Sequence, residues 1–259
     1  MRISIFTTVT EPIRRQDPFK EAIRSYKDIA DEIIIINGGE EYLLEENCIE
    51  IKSKWDFSFN FEHIGKQFQK GYEACTGDWA IKMDLDTFIH ENDIEALKHA
   101  LDTHSDHPAV SFVKMNWVKE DLFIPKARTI FAVNKKLCGD RLKWDASITK
   151  SKPSLDGKEI EIKTIPDSIA VYNYHFATKD KEQITEDRYR FAKAWERMTG
   201  SKEWGSQSPV AAYEHFKNEC IDRASKYTPT KINHPKYITN YLKRLPKNRL
   251  YNWVEEYYQ

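Results

Sequence analysis

Two aspartates, Asp84 and Asp86, follow a mostly apolar run and are the side chains of this sequence best suited to hold a cation. Residues two apart on an extended chain point to the same side, so both carboxylates could reach one hard divalent ion or its water shell. Such an ion could bind a diphosphate and neutralise the charge that develops as a nucleoside diphosphate departs. The alternative is a solvated pair in a strand-to-helix turn, which the short spacing alone favours.

The elements that must position this pair alternate between strand-like and helix-like patterns. Continuous β-branched and apolar runs predict buried strands, and apolar residues at helical spacing predict helices. The predicted strands are 3–9, 31–36, 49–52, 109–115 and 129–133, and the predicted helices are 19–26, 57–75, 94–101, 182–198 and 209–227. Strands that alternate with helices predict an α/β fold with a mainly parallel sheet flanked by helices.

Polar side chains stand at the carboxyl ends of several predicted strands, where open α/β sheets bind ligands. Thr7 and Thr8 end the first strand, Asn37 ends the second, and Asp84 and Asp86 follow the strand after the second helix. We therefore expect these residues to meet at one edge of the sheet. For the threonines, ordinary hydrogen bonding in a turn is the alternative.

Length and composition limit the classes of protein to consider. A chain of 259 residues can form one substantial α/β domain with an appendage. We place the catalytic domain at 1–180 and a helical, basic extension at 181–259. The 40 Lys and Arg residues balance 41 Asp and Glu residues, so no nucleic acid partner is expected.

Cysteine spacing and hydropathy bear on the compartment. The four cysteines have no close spacing typical of a zinc site or a disulfide scaffold, which fits a reducing compartment. No apolar stretch is long enough for a signal peptide or a membrane span. We expect a cytoplasmic protein, with peripheral membrane contact left open.

Several short motifs occur in an order that resembles one known family. They are Thr8–Glu11 after the first strand, Asp31–Ile33 at the start of the second, Trp55–Phe57 before a helix, Ala74–Trp79 after it, and then Asp84–Asp86. Together these motifs resemble family 2 glycosyltransferases with the Rossmann-like GT-A fold, especially the bacterial lipopolysaccharide core glycosyltransferase subgroup. The order of the motifs is far more specific than any one of them.

The resemblance implies a function and a set of donor-site residues. It implies transfer of a sugar from a nucleoside-diphosphate sugar, with a UDP-sugar expected, to a hydroxyl of a glycan or glycolipid. Asp84 and Asp86 would hold Mn²⁺ or Mg²⁺ beside the donor diphosphate. The remaining residues implied at the donor are Thr7, Thr8, Glu11, Asn37 and Arg128. Asn37 stands where the family commonly has a base-contacting aspartate.

Three further residues are implied on the catalytic side. In an inverting transfer, a carboxylate takes the proton of the acceptor hydroxyl, and Asp145, with Asp140 as second choice, follows the family's order. His175 lies in a Tyr-His element, where a neutral imidazole can bind Mn²⁺ or donate a hydrogen bond to diphosphate. The alternatives are a turn residue for Asp145 and a packed structural residue for His175.

The chain also has a basic run near its end. Residues 226–249 contain seven cations and no carboxylate; the cations are Lys226, Lys231, Lys236, Lys243, Arg244, Lys247 and Arg249. Interleaved tyrosines would suit an anionic membrane surface or a phosphorylated glycan. The preferred interpretation is a tail that lies back on the acidic main domain.

Two other functions are compatible with parts of the sequence. Asp84–Thr87 resembles the nucleophile motif of haloacid-dehalogenase-like phosphohydrolases, although the threonine comes one position early. A GT-A-like domain that binds nucleotide or sugar without turnover is the second alternative, and retention of both carboxylates argues against it.

Overall fold

The computed structural model describes residues 1–39, 48–55, 60–144 and 153–245, and no side chain is described for residues 128–131 and 176. Its first half alternates strands and helices in the order β1 (Ile3–Val9), α1 (Phe19–Lys27), β2 (Glu32–Asn37), β3 (Cys48–Lys52), α2 (Phe61–Ala74), β4 (Trp79–Lys82), β5 (Thr87–Ile89) and α3 (Ile94–Thr103). A long hairpin of β6 (Ala109–Lys119) and β7 (Leu122–Asn134) follows.

Shorter strands and the largest helices make up the rest. They are α4 (Lys135–Cys138), β8 (Leu142–Trp144), β9 (Pro153–Leu155), β10 (Lys158–Glu159), β11 (Lys163–Thr164), β12 (Ala170–Asn173), α5 (His175–Thr178), α6 (Lys181–Thr199), α7 (Pro209–Lys226), β13 (Thr230–Lys231) and α8 (Lys236–Arg244). No described helix is long and apolar enough to cross a membrane.

The central sheet has the strand order β3-β2-β1-β4-β7-β6-β12-β5, with β11 beside β6 and β13 beside β7. The four strands from β3 to β4 are mutually parallel, and β12 is parallel to β6. β7 runs antiparallel to both of its main neighbours, β4 and β6. The α/β fold with a mainly parallel sheet flanked by helices is confirmed. Strands β8, β9 and β10 form a separate antiparallel sheet.

Both faces of β1, β2 and β4 are buried, which explains their continuous apolar runs. Alternate residues of β2 point to opposite faces, so Ile33 and Ile35 pack in one core cluster and Ile34 and Ile36 in another. The first cluster includes α1, and the second includes α2. This packing fixes the carboxyl ends of β1 and β4 at the same edge.

The predicted elements agree with the observed ones in type and differ in length. The strands predicted at 109–115 and 129–133 are parts of the longer β6 and β7, whose pairing has register shifts beside Val113 and Met115. The helix predicted at 57–75 is observed as Phe61–Ala74, and 56–59 lie outside the described residues. The short strands from β8 to β13 were missed because two to four residues carry too little periodicity.

Helix α6 belongs to the predicted C-terminal extension, yet it packs into the core of the sheet. Its Ala194 and Trp195 share a buried cluster with Phe68 of α2 and with Trp144 of β8. Side chains of this helix can therefore take part in a site at the edge of the sheet.

The basic run lies largely against carboxylates. Lys231 pairs with Asp121 at 3.2 Å, Lys236 with Asp28 at 2.6 Å and Arg244 with Glu21 at 2.9 Å, while Lys226 pairs with Asp222 of its own helix. These pairs are what the preferred interpretation, a tail that covers the main domain, expects. Lys247 and Arg249 lie outside the described residues.

Candidate functional site

An open cleft of about 330 Å³ lies at the carboxyl ends of β1 and β4. Its lining combines strand ends, the β6–β7 hairpin and helix α6, and it includes Thr8, Val9, Thr10, Arg15, Asp17, Trp55, Ile64, Phe68, Asp84, Leu85, Asp86, Lys114, Lys126, Asn173, His175, Arg188, Arg190 and Phe191. Both aspartates of the predicted pair are present. A cleft of this size, with apolar walls and several converging charges, has the properties of a small-molecule site.

The segment 84–87, which we call the carboxylate turn, is held mainly by hydrogen bonds to its backbone. The Thr87 amide donates to the Asp84 carbonyl at 3.0 Å, and the Thr87 hydroxyl donates to the same oxygen at 2.7 Å. The buried Tyr26 hydroxyl bonds the carbonyls of Asp84 and Thr87, and the Tyr174 amide donates to the Asp86 carbonyl at 2.8 Å. These bonds orient both carboxylates without using their own oxygens.

Asp84 is the more exposed member of the pair, with 42% of its side chain accessible. One carboxylate oxygen pairs with Lys82, and the other lies 3.6 Å from the ammonium of Lys114. The surrounding protein disfavours the charged form, but the two lysines outweigh this effect and lower the pKa of Asp84. Asp84 is therefore ionised at neutral pH.

Asp86 is buried, and its carboxylate accepts a hydrogen bond from Nδ1 of His175 at 2.8 Å. The other ring nitrogen, Nε2, lies 2.8 Å from Nη2 of Arg188, which has only donor hydrogens. Burial and then the charge of Lys179 lower the pKa of His175 to about 3, so the ring is neutral with its proton on Nδ1. Asp86 stays charged because His175 and nearby lysines lower its pKa despite burial.

A buried ionic network supports this chain of contacts from behind. The ammonium of Lys179, only 1% exposed, lies 2.9 Å from Asp187 and 3.0 Å from Asp17. Arg15 approaches Asp187 within 3.2 Å. The network joins the loop after β1 to α5 and α6, the elements that carry His175 and Arg188. Removal of one partner from such a network leaves an uncompensated buried charge, which is strongly destabilising.

The residues predicted at the nucleotide lie in different environments. Thr8 lines the cleft, whereas Thr7 is buried and its hydroxyl has no hydrogen-bond partner among the described residues. Glu11 has a left-handed backbone with φ of 44° and pairs with Arg14 at 3.0 Å. Neither Glu11 nor Asn37 is among the cleft-lining side chains.

Asn37 is used within the protein. Its amide nitrogen donates to Glu50 at 2.8 Å, and its carbonyl oxygen accepts from the Gly39 amide at 2.9 Å. The second bond closes a turn after β2, a common use of asparagine at a strand end.

The residues predicted on the catalytic side are less well described. Asp145 lies outside the described residues, which resume at Pro153. Asp140 is exposed in a short helical turn before β8 and does not line the cleft. Arg128 belongs to β7, and its side chain is not described. These roles remain predictions.

Sequence reasoning missed five cations of the cleft: Arg15, Lys114, Lys126, Arg188 and Arg190. A signal was available for Lys114, which interrupts the apolar run of β6 and is 8% exposed. A lysine at a buried strand position needs a reason, because lysine is almost never fully buried unless paired. Lys126 and Arg188 carry no such signal.

No group of three or more His, Cys, Asp or Glu side chains is placed to hold a metal ion within residues 1–39, 48–55, 60–144 and 153–245. The carboxylate turn by itself offers two oxygen-bearing ligands. His175 uses both ring nitrogens within the protein, so a bond from Nε2 to a metal would require Arg188 to move.

Comparison with protein families identifies one match. Residues 10–153, more than half of the chain, match the sequence profile of glycosyl transferase family 2. No curated protein sequence matches the chain.

Solved structures give remote likenesses. Residues 1–349 of S. aureus TarS are 11% identical, with a TM-score of 0.48 over 87% of this chain and 80% of that chain. The same protein with UDP-GlcNAc is 10% identical, with a TM-score of 0.45 over 87% and 81% of the two chains.

Proposed function

The chain belongs to glycosyl transferase family 2, and we propose that it transfers a sugar from a nucleoside-diphosphate sugar to a hydroxyl of a glycan or glycolipid acceptor. The observation that carries this proposal is the carboxylate turn in the cleft. Two ionised carboxylates stand at the carboxyl end of a parallel strand, within the region that matches the family. Ligands of open α/β sheets bind at this edge.

The donor would lie across the ends of β1 and β4. Thr8 offers a hydroxyl to the nucleotide, and Trp55 offers an apolar surface at the same rim. The diphosphate would then come next to Asp84 and Asp86, whose negative charge requires a cation between them and the phosphates. We retain a UDP-sugar as the expected donor.

The donor set of the carboxylate turn suits a hard divalent ion. We propose that Asp84 and Asp86 hold Mn²⁺ or Mg²⁺, with diphosphate oxygens and water completing the shell. When bound, the ion would neutralise charge on the departing nucleoside diphosphate. His175, predicted as a third ligand, would orient Asp86 through its Nδ1 proton while Arg188 occupies Nε2.

The acceptor hydroxyl must lose a proton as the sugar is transferred. We propose an inverting reaction in which Asp145 takes this proton, with Asp140 as the second candidate. Trp144, the residue before Asp145, packs edge-to-face on Phe68 with ring centroids 5.3 Å apart, and Phe68 lines the cleft. This contact puts Trp144, the last residue described before 145, against a side chain that lines the cleft.

A thermal-shift screen of UDP, GDP, CMP and dTDP, each with and without Mn²⁺, tests the donor proposal. A ligand that binds only the folded protein raises its melting temperature by mass action. We expect one nucleotide to stabilise the protein more strongly with Mn²⁺, and the matching nucleotide sugar to release nucleoside diphosphate slowly in water.

Two variants make the screen specific. Asp86→Asn is nearly isosteric and should lose the Mn²⁺-dependent shift, because one anionic ligand is gone. Asp102→Asn, on the exposed face of α3, is the matched control and should respond like the parent. Equal Mn²⁺-dependent affinity in the parent and in Asp86→Asn would reject the metal assignment, and no shift with any nucleotide would reject the donor class.

The phosphohydrolase alternative receives no support from the cleft. It needs Asp84 as a free nucleophile, whereas both oxygens of this carboxylate face lysine ammonium groups. Lack of phosphate release from p-nitrophenyl phosphate would exclude it directly.

A further inference from the structure

Four cations line the side of the cleft formed by β6, β7 and α6, and Arg190 is one of them. We call the other three, Lys114, Lys126 and Arg188, the cationic wall. The strand order places β7 and β6 on the opposite side of β4 from β1. The cationic wall is therefore separated from Thr8, at the end of β1, by the carboxylate turn.

Lys126 has no hydrogen bond or ion pair within the described part of the chain, although it lines the cleft. Burial, followed by the positive charges of Lys114, Arg188 and Arg223, lowers the pKa of Lys126 to about 7. A cation that is desolvated among other cations costs free energy unless an anion compensates it. Because Lys126 lines the cleft, an anion bound in the cleft could reduce this free-energy cost.

Arg188 contacts an aromatic ring and a histidine, and one of its hydrogen-bond donors has no acceptor among the described residues. Its guanidinium carbon lies 4.4 Å from the ring centroid of Phe216, and its Nη2 donates to His175. Its Nε is buried and has no acceptor among the described residues. A planar guanidinium that lies over an aromatic ring and lines a cleft is well suited to bind a phosphate or carboxylate there.

The carboxylates near the wall are already engaged. Asp86 accepts from His175, and Asp187 pairs with Lys179 and Arg15. Asp84 is shared between Lys82 and Lys114. Lys126 thus has no carboxylate partner among the described residues, and an anion that enters the cleft would meet Lys126 on the same wall as Arg188.

We infer that the cationic wall is a subsite for a phosphate or carboxylate group carried by the sugar acceptor, distinct from the place of the donor diphosphate. The inference rests on the proposed transferase function, since that function defines which side of the carboxylate turn the donor takes. The acceptor class it predicts is an anionic glycan or glycolipid. An acceptor anchored this way would present a hydroxyl toward the carboxylate turn.

Calorimetric titration with inorganic phosphate tests the subsite without any nucleotide. The titration is run at pH 6.5 against sodium chloride of equal ionic strength, so that nonspecific screening cancels. We expect saturable binding to the parent that is weaker by about tenfold or more in Lys126→Met, because a charge-assisted hydrogen bond is lost. Lys136→Met, an exposed lysine of α4 away from the cleft, is the matched control and should bind like the parent.

A second titration separates the acceptor from the donor. Phosphate is titrated into protein saturated with the nucleoside diphosphate found in the thermal-shift screen. Phosphate affinity within about twofold of that of the free protein supports an acceptor subsite, whereas competition between the two ligands would assign the wall to the donor diphosphate and overturn the inference.

The remaining outcomes are equally decisive. Equal phosphate binding by the parent and Lys126→Met would remove the subsite. If no nucleotide binds, the proposed function fails and the acceptor assignment fails with it, while the first titration still decides whether the wall binds an anion. Lys126→Met should fold, because it replaces an uncompensated cation with an apolar side chain of similar length.

Discussion

The carboxylate turn and the cationic wall face the same cleft, but the protein satisfies them to different degrees. Asp84 has two lysine partners, and Asp86 has a histidine held by Arg188. Lys126, by contrast, has no carboxylate partner in the described structure, and the charges of Lys114, Arg188 and Arg223 act against its own. The anionic side is thus pre-organised, with both carboxylates held by side chains of the protein, whereas the cationic side keeps a charge without a carboxylate partner that a ligand can neutralise.

The carboxylate turn is therefore held in place by the protein itself, whereas the cationic wall is suited to bind a ligand. Hydrogen bonds to the backbone of the carboxylate turn hold it in place before any donor arrives, which reduces the reorganisation needed on binding. The cationic wall gains more from a ligand because the ligand also removes mutual repulsion. The two regions should therefore respond in opposite ways when their charges are deleted.

The largest expected effect separates the two sides of the reaction. Asp145→Asn should lower transfer by about 10²–10⁴-fold, because a general base acts on the acceptor proton, and leave donor affinity unchanged. Turnover is measured as nucleoside diphosphate release with acceptor, and affinity by thermal shift. Near-normal turnover of Asp145→Asn would make Asp140 the candidate general base. Weakened donor binding would show that residue 145 also contributes to the donor site.

Next in size is the stability of the carboxylate turn itself. Asp86→Ala should lower the free energy of unfolding by about 2–3 kcal/mol, since it removes a buried hydrogen bond to a charged group and leaves His175 without its acceptor. Asp84→Ala is the internal comparison and should cost about 1 kcal/mol, because water can reach its more exposed site. Urea denaturation measures both, and equal losses would show that the two aspartates are not held differently.

Deletion of a charge from the cationic wall should stabilise the folded protein, in contrast to deletion of Asp86. The pKa of Lys126 is lowered, so the unfolded chain binds this proton more tightly than the folded protein, and parent stability rises with pH from about 7 to the ordinary lysine value. Lys126→Met should stabilise the fold by about 1–3 kcal/mol at pH 6, and the gain should shrink toward pH 10.

Urea denaturation of the parent and Lys126→Met at pH 6, 8 and 9.5 checks this sign. Lys136→Met is run beside it to correct for the general effect of a lost surface charge. A gain that does not change with pH, or a loss at every pH, would show that Lys126 is compensated in the folded protein.

The smallest effect concerns charge pairs far from the cleft. Arg244→Gln should change the free energy of unfolding by less than about 1 kcal/mol, because 69% of the Arg244 side chain is exposed. Donor affinity should not change. Co-sedimentation with anionic vesicles at low and high salt tests the alternative role of the basic run, and salt-sensitive binding that falls in the variant would favour a membrane surface over the tail's contact with its own main domain.

The sequence by itself determined the parallel half of the fold and one side of the site. Continuous apolar runs in β1 and β2, and helical spacing in α1, follow from local periodicity, so their bounds are readable from the chain. The same alternation predicts that Thr8, Asp84 and Asp86 meet at the carboxyl edge, and all three line the cleft.

Only the tertiary structure decided which residues form the cationic wall. Lys114, Lys126 and Arg188 come from two strands and a helix, and nothing in their local patterns indicates a common cleft. They meet because β7 pairs with β4 and β6, and because α6 packs back on the core. Likewise, the partners of His175 depend on which helices pack beside α5. Local periodicity specifies which face of an element is buried, whereas the free energy of the whole packing specifies which charges become neighbours.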